Sequence, residues 1–140
     1  MSRLDRALLA EKAAAVERHL ERVRQRLPED ADELRPMTDT SDIIILHLWQ
    51  AVQSVIDLAG SACLHFYLGT PPSYGEAFRS LADAGILESD LAERLVRAVG
   101  FRNAVAHAYD KLDMDRVYRA AREGPDDLRG FLAALAERIQ

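Results

Sequence analysis

Leu9, Ala13, Val16, Leu20, Val23 and Leu27 follow one another at steps of 4, 3, 4, 3 and 4. That spacing lines one face of an α-helix, and a strand with its period of two cannot gather it on one side. The same rhythm returns near the other end in Leu128, Phe131, Leu132, Leu135 and Ile139. Between these stretches the breakers are few, seven glycines and five prolines against 22 alanines and 19 leucines. An all-β chain of this length needs more turn residues than that. The expected fold is all-α, five to six helices around one core, with residues 1–140 forming a single helical domain.

Punctuation sets the expected helix limits. The first runs from about Ser2 to Leu27 and stops at Pro28. Asp39 or Ser41 caps a second helix that continues to about Leu68 and ends at Gly69. Its Ile43, Ile44, Leu46, Leu48, Val52, Val55, Ile56 and Ala59 are apolar on much of the circumference, which puts it at the centre. After Thr70-Pro71-Pro72, Ser73 and Glu76 have the spacing of a capping box and open a third helix that Gly85 closes. A fourth begins near Asp90, with Glu93 in capping-box position, and runs past Gly100 to Tyr109; Gly100 there suggests a bend or a close contact. Asp113 opens a fifth helix that Gly124-Pro125 ends, and a last helix follows. Gly60, Ser61 and Ala62 are small enough for close approach, within the bundle or between two copies.

No stretch reaches the roughly 18 unbroken apolar residues of a membrane span, the densest run from Ile43 to Trp49 being interrupted by His47. The N-terminus lacks a signal-peptide core. Cys63 is the single cysteine and has no partner for an internal disulfide, which fits a reducing cytoplasm. Cytoplasmic location without membrane contact is the expectation.

Net charge is −5, against a general nucleic-acid coat. Residues 1–27 nevertheless carry seven basic and four acidic groups, and 13 of the 16 arginines lie in residues 1–27 or 96–140. An anionic ligand is expected to prefer those two ends. Arg18, Arg22 and Arg26 recur every four residues with Glu17 and Glu21 placed to pair locally. The arginine excess fits phosphate recognition, and it equally fits a GC-rich genome and solvated helix faces.

Most chemical motifs are absent: no glycine-rich phosphate loop, no Cys-x-x-C, no His-Glu-x-x-His. His19, His47 and His65 share no ligand spacing and are taken as packing residues; no metal site and no cofactor are expected. The exception is the run from Arg102 through Asn103, His107 and Tyr109, its functional side chains separated by small alanines. At about 100° per residue, Asn103 lies about 100°, His107 about 140° and Tyr109 about −20° round from Arg102. That sector is wide, and a groove lined from both sides, for example by a second subunit, would gather it. Arginine can hold a phosphate bidentately and offset growing charge. Histidine can move a proton to or from a ribose 2′-hydroxyl, and asparagine can orient either. These groups suffice for metal-independent RNA cleavage through a 2′,3′-cyclic phosphate. The plainer alternative pairs Arg102 with Asp110 or Asp113 and leaves His107 and Tyr109 to pack.

Arg102-x4-His107-x-Tyr109, with Asn103 after the arginine and Val99-Gly100-Phe101 before it, resembles the signature of the HEPN superfamily, in particular the HepT-like toxins of MNT–HEPN (type VII) toxin–antitoxin systems. The likeness extends over Val55-Ile56-Asp57-Leu58-Ala59, Pro71-Pro72-Ser73-Tyr74 with Glu76 and Phe78, Gly85-Ile86-Leu87, and Asp115 to Tyr118, about residues 40–135 in all. Ala108 stands where such proteins often have glycine, and Ala104 and Ala106 are smaller than usual.

The resemblance implies a helical bundle that homodimerises so that two Arg/His pairs face one cleft. It also implies a toxic endoribonuclease acting on transfer or messenger RNA. Arg102 would then bind the scissile phosphate, His107 would move the proton or position the phosphate, and Asn103 would support both. Tyr109 would receive AMP from a cognate nucleotidyltransferase antitoxin. A function of another class stays open at this point: a non-catalytic helical partner that binds a nucleotidyltransferase and helps it hold nucleotide. Negative net charge and few stacking aromatics favour that alternative, whereas the intact Arg, Asn, His and Tyr set favours the nuclease.

Overall fold

The computed structural model describes residues 4–139. Five α-helices carry the chain in the order α1 (Arg6–Arg26), α2 (Asp39–His65), α3 (Tyr74–Asp83), α4 (Ser89–Ala108) and α5 (Met114–Arg138), with 3₁₀ turns at Ala31–Glu33 and Tyr109–Lys111. The all-α expectation holds, at five helices rather than six. Asp5 caps α1 by accepting the Leu8 N–H at 2.8 Å, so the helix begins at Arg6, later than the expected start near Ser2, a residue that lies outside the described ones. Leu9, Val16, Leu20 and Val23 are buried along its seam.

The cap of α2 is Thr38, one residue before Asp39 and three before Ser41, the two predicted candidates. Its Oγ1 accepts the Ser41 N–H and the Ser41 Oγ accepts the Thr38 N–H, both at 3.1 Å. This reciprocal box satisfies two of the donors that a helix start leaves open. At the far end α2 stops at His65, short of Leu68. Tyr67 takes a left-handed φ of 61°, and the Leu68 N–H returns to the Cys63 carbonyl at 2.8 Å. A tyrosine therefore performs the terminating turn that glycine usually makes, two residues before Gly69.

Twelve α2 side chains are buried, which makes it the central helix as its apolar circumference implies. Among the described residues it is the helix long and apolar enough to cross a membrane, yet half of its most apolar window is buried in the bundle. Mean hydropathy thus selects a segment that the search for an unbroken apolar run passes over.

Ser73 caps α3, and Gly85 closes it at φ 79° with the Ile86 N–H bonded back to the Leu81 carbonyl. The predicted capping box of α4 does not form. Glu88 is its N-cap, and Glu93 reaches across to Arg79 of α3 at 3.1 and 3.2 Å. A bidentate interhelical pair takes the carboxylate that spacing alone assigns to the cap. Helix α4 continues through Gly100, where an added Cβ would come within 3.1 Å of Arg116 Nη2, so the close contact is real.

Gly124-Pro125 does not divide the last segment: α5 is one helix with Pro125 inside it. Val117, Ala121, Leu128, Phe131, Leu132 and Leu135 are buried on both sides of the proline, and that continuous stripe outweighs the lost bond to the Ala121 carbonyl. Phe131 meets Phe78 edge-on, with centroids 5.6 Å apart, tying α5 to α3. Because Pro125 forgoes a backbone bond inside a continuous helix, Pro125→Ala should raise the unfolding free energy by about 1–2 kcal/mol. A urea titration checks this, and an unchanged or lower midpoint would mean the two halves of α5 do not act as one helix.

Candidate functional site

Arg102 lies two turns from the end of α4 and makes no ion pair among the described residues. The pairing with Asp110 or Asp113 is therefore not what the fold builds. Its Nε donates to Gln53 Oε1 of α2 at 2.8 Å, and its Nη1 donates to Asn103 Oδ1 at 3.1 Å. Gln53 is held in turn, its Nε2 donating to Asp57 Oδ1 at 3.0 Å. A carboxylate can only accept, so Asp57 fixes which end of the amide faces the guanidinium.

Two rings complete the seat. The Arg102 Cζ stands 5.9 Å from the Trp49 centroid and 5.3 Å from that of Tyr74, within range of cation–π attraction. Tyr74 is the first residue of α3, placed there by the Ser73 cap. Trp49 Nε1 is buried without a hydrogen-bond partner. Arg102 is thus positioned from three helices by neutral groups, and its positive charge stays available to an anion.

Asn103 and His107 are exposed on α4, one turn apart as their spacing implies. Tyr109 departs from the azimuth that a continuous helix would give it. Ala108 leaves helical geometry at φ −148°, ψ 44°, and Tyr109 opens the following 3₁₀ turn. Its hydroxyl donates to Asp42 Oδ1 in the first turn of α2, while the side chain remains 38% exposed. Partial burial first, then the bond to Asp42 and the repulsion of phenolate by that carboxylate, push the Tyr109 pKa up to about 12. At neutral pH the phenol is protonated and tethered.

Sequence patterning finds Arg102, Asn103, His107 and Tyr109 but misses Asp42, Trp49, Gln53 and Tyr74. A signal was there: 42, 49 and 53 lie within about 40° of one another on a helical wheel, a polar–aromatic stripe on an otherwise apolar helix. Among the described residues no group of three or more His, Cys, Asp or Glu side chains could hold a metal ion.

The ribonuclease HepT-like family profile matches residues 16–135, a span that takes in every residue of this seat. The chain belongs to the HepT-like ribonuclease family. It is similar to the mRNA nuclease HepT of Shewanella oneidensis, 26% identical over 125 residues, or 89% of this chain and 93% of that one. Among solved structures it resembles the tri-AMPylated HEPN toxin of Shewanella oneidensis in complex with its MNT antitoxin. There the TM-score is 0.83 and the identity 26%, over 92% of this chain and 96% of the other. A toxin–antitoxin crystal structure with AMP-PNP shares the fold at a TM-score of 0.85 and 24% identity, over 94% of this chain and 98% of the other.

The Asp42 contact of this HepT-like chain carries a titration test. Replacing the carboxylate with an amide removes the charge that opposes phenolate, so Asp42→Asn should bring Tyr109 down from about 12 towards the ordinary value of about 10. Tyrosine-labelled NMR across alkaline pH reads this directly. An unmoved Tyr109 resonance would remove Asp42 from the site.

Proposed function

We propose that this chain is the toxin of a toxin–antitoxin pair, a metal-independent endoribonuclease that a cognate nucleotidyltransferase neutralises by AMPylating Tyr109. The observation that carries the reading is the Arg102 seat, a guanidinium fixed by Gln53, Asn103, Trp49 and Tyr74 with no acid paired to it among the described residues. Such a group holds a phosphodiester and stabilises the charge that grows on its oxygens.

Cleavage forms a bond from the ribose 2′-oxygen to phosphorus as the bond to the 5′-oxygen breaks. The 2′-hydroxyl gives up a proton, and the departing 5′-oxygen takes one. One histidine cannot serve both ends of a concerted step, so the reading calls for two His107 side chains from a homodimer, one as base and the other as acid. A face of α2 supports that assembly. Leu46 and Leu64 are 49% and 46% exposed, Gly60 between them opens onto empty space, and all three share the side of the helix that carries Gln53. Ala62 is buried in the bundle and does not belong to this face.

The Tyr109 switch follows from its tether. An AMP phosphodiester on Oη removes the proton given to Asp42 and sets a negative charge against that carboxylate. The modified side chain is repelled from α2, and its charge and bulk oppose RNA phosphate at Arg102. That the relative seen with its MNT antitoxin is tri-AMPylated supports the same regulation here.

On transfer or messenger RNA, Arg102→Ala and His107→Ala should each lower cleavage by about 100-fold or more, Asn103→Ala by less. A chelator should leave the rate unchanged, and a 2′-deoxy substitution at the scissile nucleotide should block it. Full cleavage by His107→Ala would remove His107 from the chemistry, and wild type that cleaves no RNA would end the nuclease reading and leave the non-catalytic partner. Intact mass after co-expression with a cognate nucleotidyltransferase should rise in AMP multiples for wild type and stay unmodified for Tyr109→Phe. For the dimer, Gly60→Arg should sediment as a monomer and lose cleavage. A dimeric, active Gly60→Arg would place the interface elsewhere.

A further inference from the structure

The arginines of α1 do not pair as their spacing suggests. Glu17 is taken by Arg129 of α5 at 2.8 Å, and Glu21 by Arg24 at 2.9 Å. Arg18, Arg22 and Arg26, all exposed, make no ion pair among the described residues. The acidic loop that follows α1, with Glu29, Asp30, Asp32 and Glu33, supplies no partner either. Three unpaired guanidiniums therefore run along about 12 Å of helix.

Beside them the fold brings together two histidines 28 residues apart in sequence. His19 and His47 meet across α1 and α2 with Nδ1 to Nδ1 at 2.9 Å, in a cleft of about 340 Å³ lined by Arg18, His19, Glu21, Arg22 and His47. That contact needs one ring to donate and the other to accept, so the accepting ring carries its proton on Nε2 and keeps a donor free. Both rings are held below the ordinary histidine pKa: His19 by burial, then Arg18 and Arg22; His47 by burial, then His19, Arg22 and Arg26. Glu21 is the one acid lining the cleft, and its carboxylate is engaged by Arg24 and Gln25. Positive charge is concentrated here until an anion arrives.

We infer that Arg18, Arg22 and Arg26, with the His19–His47 pair, form a second RNA-binding site that holds consecutive backbone phosphates outside the cleavage centre. The inference rests on the ribonuclease reading for its ligand. A linear row suits a phosphate chain better than a single anion, since side chains four residues apart stand about 6 Å apart along the helix and can meet successive phosphates of one strand. On the wheel of α2, His47 lies about 160° from Trp49, so this row and the Arg102 seat flank the helix on opposite sides. A long or structured RNA can contact both, and a dinucleotide cannot.

The test uses the full chain. In a His107→Ala background, binding of a long single-stranded RNA is followed by fluorescence anisotropy against salt concentration. Adding Arg18→Gln, Arg22→Gln and Arg26→Gln should flatten the slope of log K against log salt by about 2, at roughly 0.7 per lost phosphate contact. Arg24→Gln, whose charge Glu21 already balances, should leave it nearly unchanged. With His107 intact, the triple variant should cleave a dinucleotide at the wild-type kcat/KM and lose at least about tenfold on the long RNA, which a misfolded protein could not do.

An unchanged slope overturns the site. An equal loss from Arg24→Gln overturns it in favour of diffuse charge. Retained RNA binding with lost capture of the nucleotidyltransferase overturns it in favour of a protein contact. Failure of the nuclease reading is seen separately, as wild type that cleaves neither RNA, while the salt slope still reports on binding.

Discussion

Arg102 is the point at which three helices agree. Its side chain starts on α4, is fixed by Gln53 and Trp49 of α2, and passes the ring of Tyr74 at the start of α3. Each contact is with a neutral group, and the nearest carboxylate in the network, Asp57, acts one residue removed through the Gln53 amide. A direct Asp57–Arg102 pair would hold the arginine as firmly but cancel its field. Interposing an amide keeps the geometry and leaves the charge. The caps of α2 and α3 matter for the same reason, since the Thr38–Ser41 box and Ser73 fix the helix starts from which Asp42 and Tyr74 project.

Competition for carboxylates recurs through the molecule. Glu93 leaves a predicted cap position to bind Arg79, Glu17 leaves its own helix for Arg129, and Glu21 takes Arg24. Exposed pairs of this kind are screened by solvent and are worth little in stability. Their consequence lies in what they leave behind. Once these acids are committed, Arg18, Arg22, Arg26 and Arg102 make no ion pair among the described residues, and a chain of net charge −5 presents local fields of the opposite sign. Overall charge is a poor guide to partners when pairing is this uneven.

The fold class and most helix limits were legible because they rest on local physics. The α1 seam, the Ser73 cap and the Gly85 stop each involve residues within a turn of one another. Errors fell where tertiary contact overruled local preference: Pro125 stays helical because Ala121 and Leu128 are both buried, and Tyr67 ends α2 ahead of Gly69. The site divides the same way. Arg102, Asn103 and His107 sit on one helix and show themselves by spacing. Asp42, Trp49, Gln53 and the His19–His47 contact join elements far apart in sequence, and no local pattern encodes who faces whom.

On the proposed reading, Tyr109 shows why the end of a helix is a useful place for a regulated side chain. Inside α4 its hydroxyl would be aimed by helical geometry alone. One residue past the break at Ala108 it can turn to Asp42 and still stay exposed. The tether keeps the phenol protonated, with its pKa near 12, so it is a poor nucleophile until something separates it from the carboxylate or uses that carboxylate to take the proton. On the proposed reading that gives the unmodified protein a defined resting state. Loss of the phenolic proton then turns an attraction to α2 into a repulsion, and the same atom both receives the modification and releases the side chain that carries it.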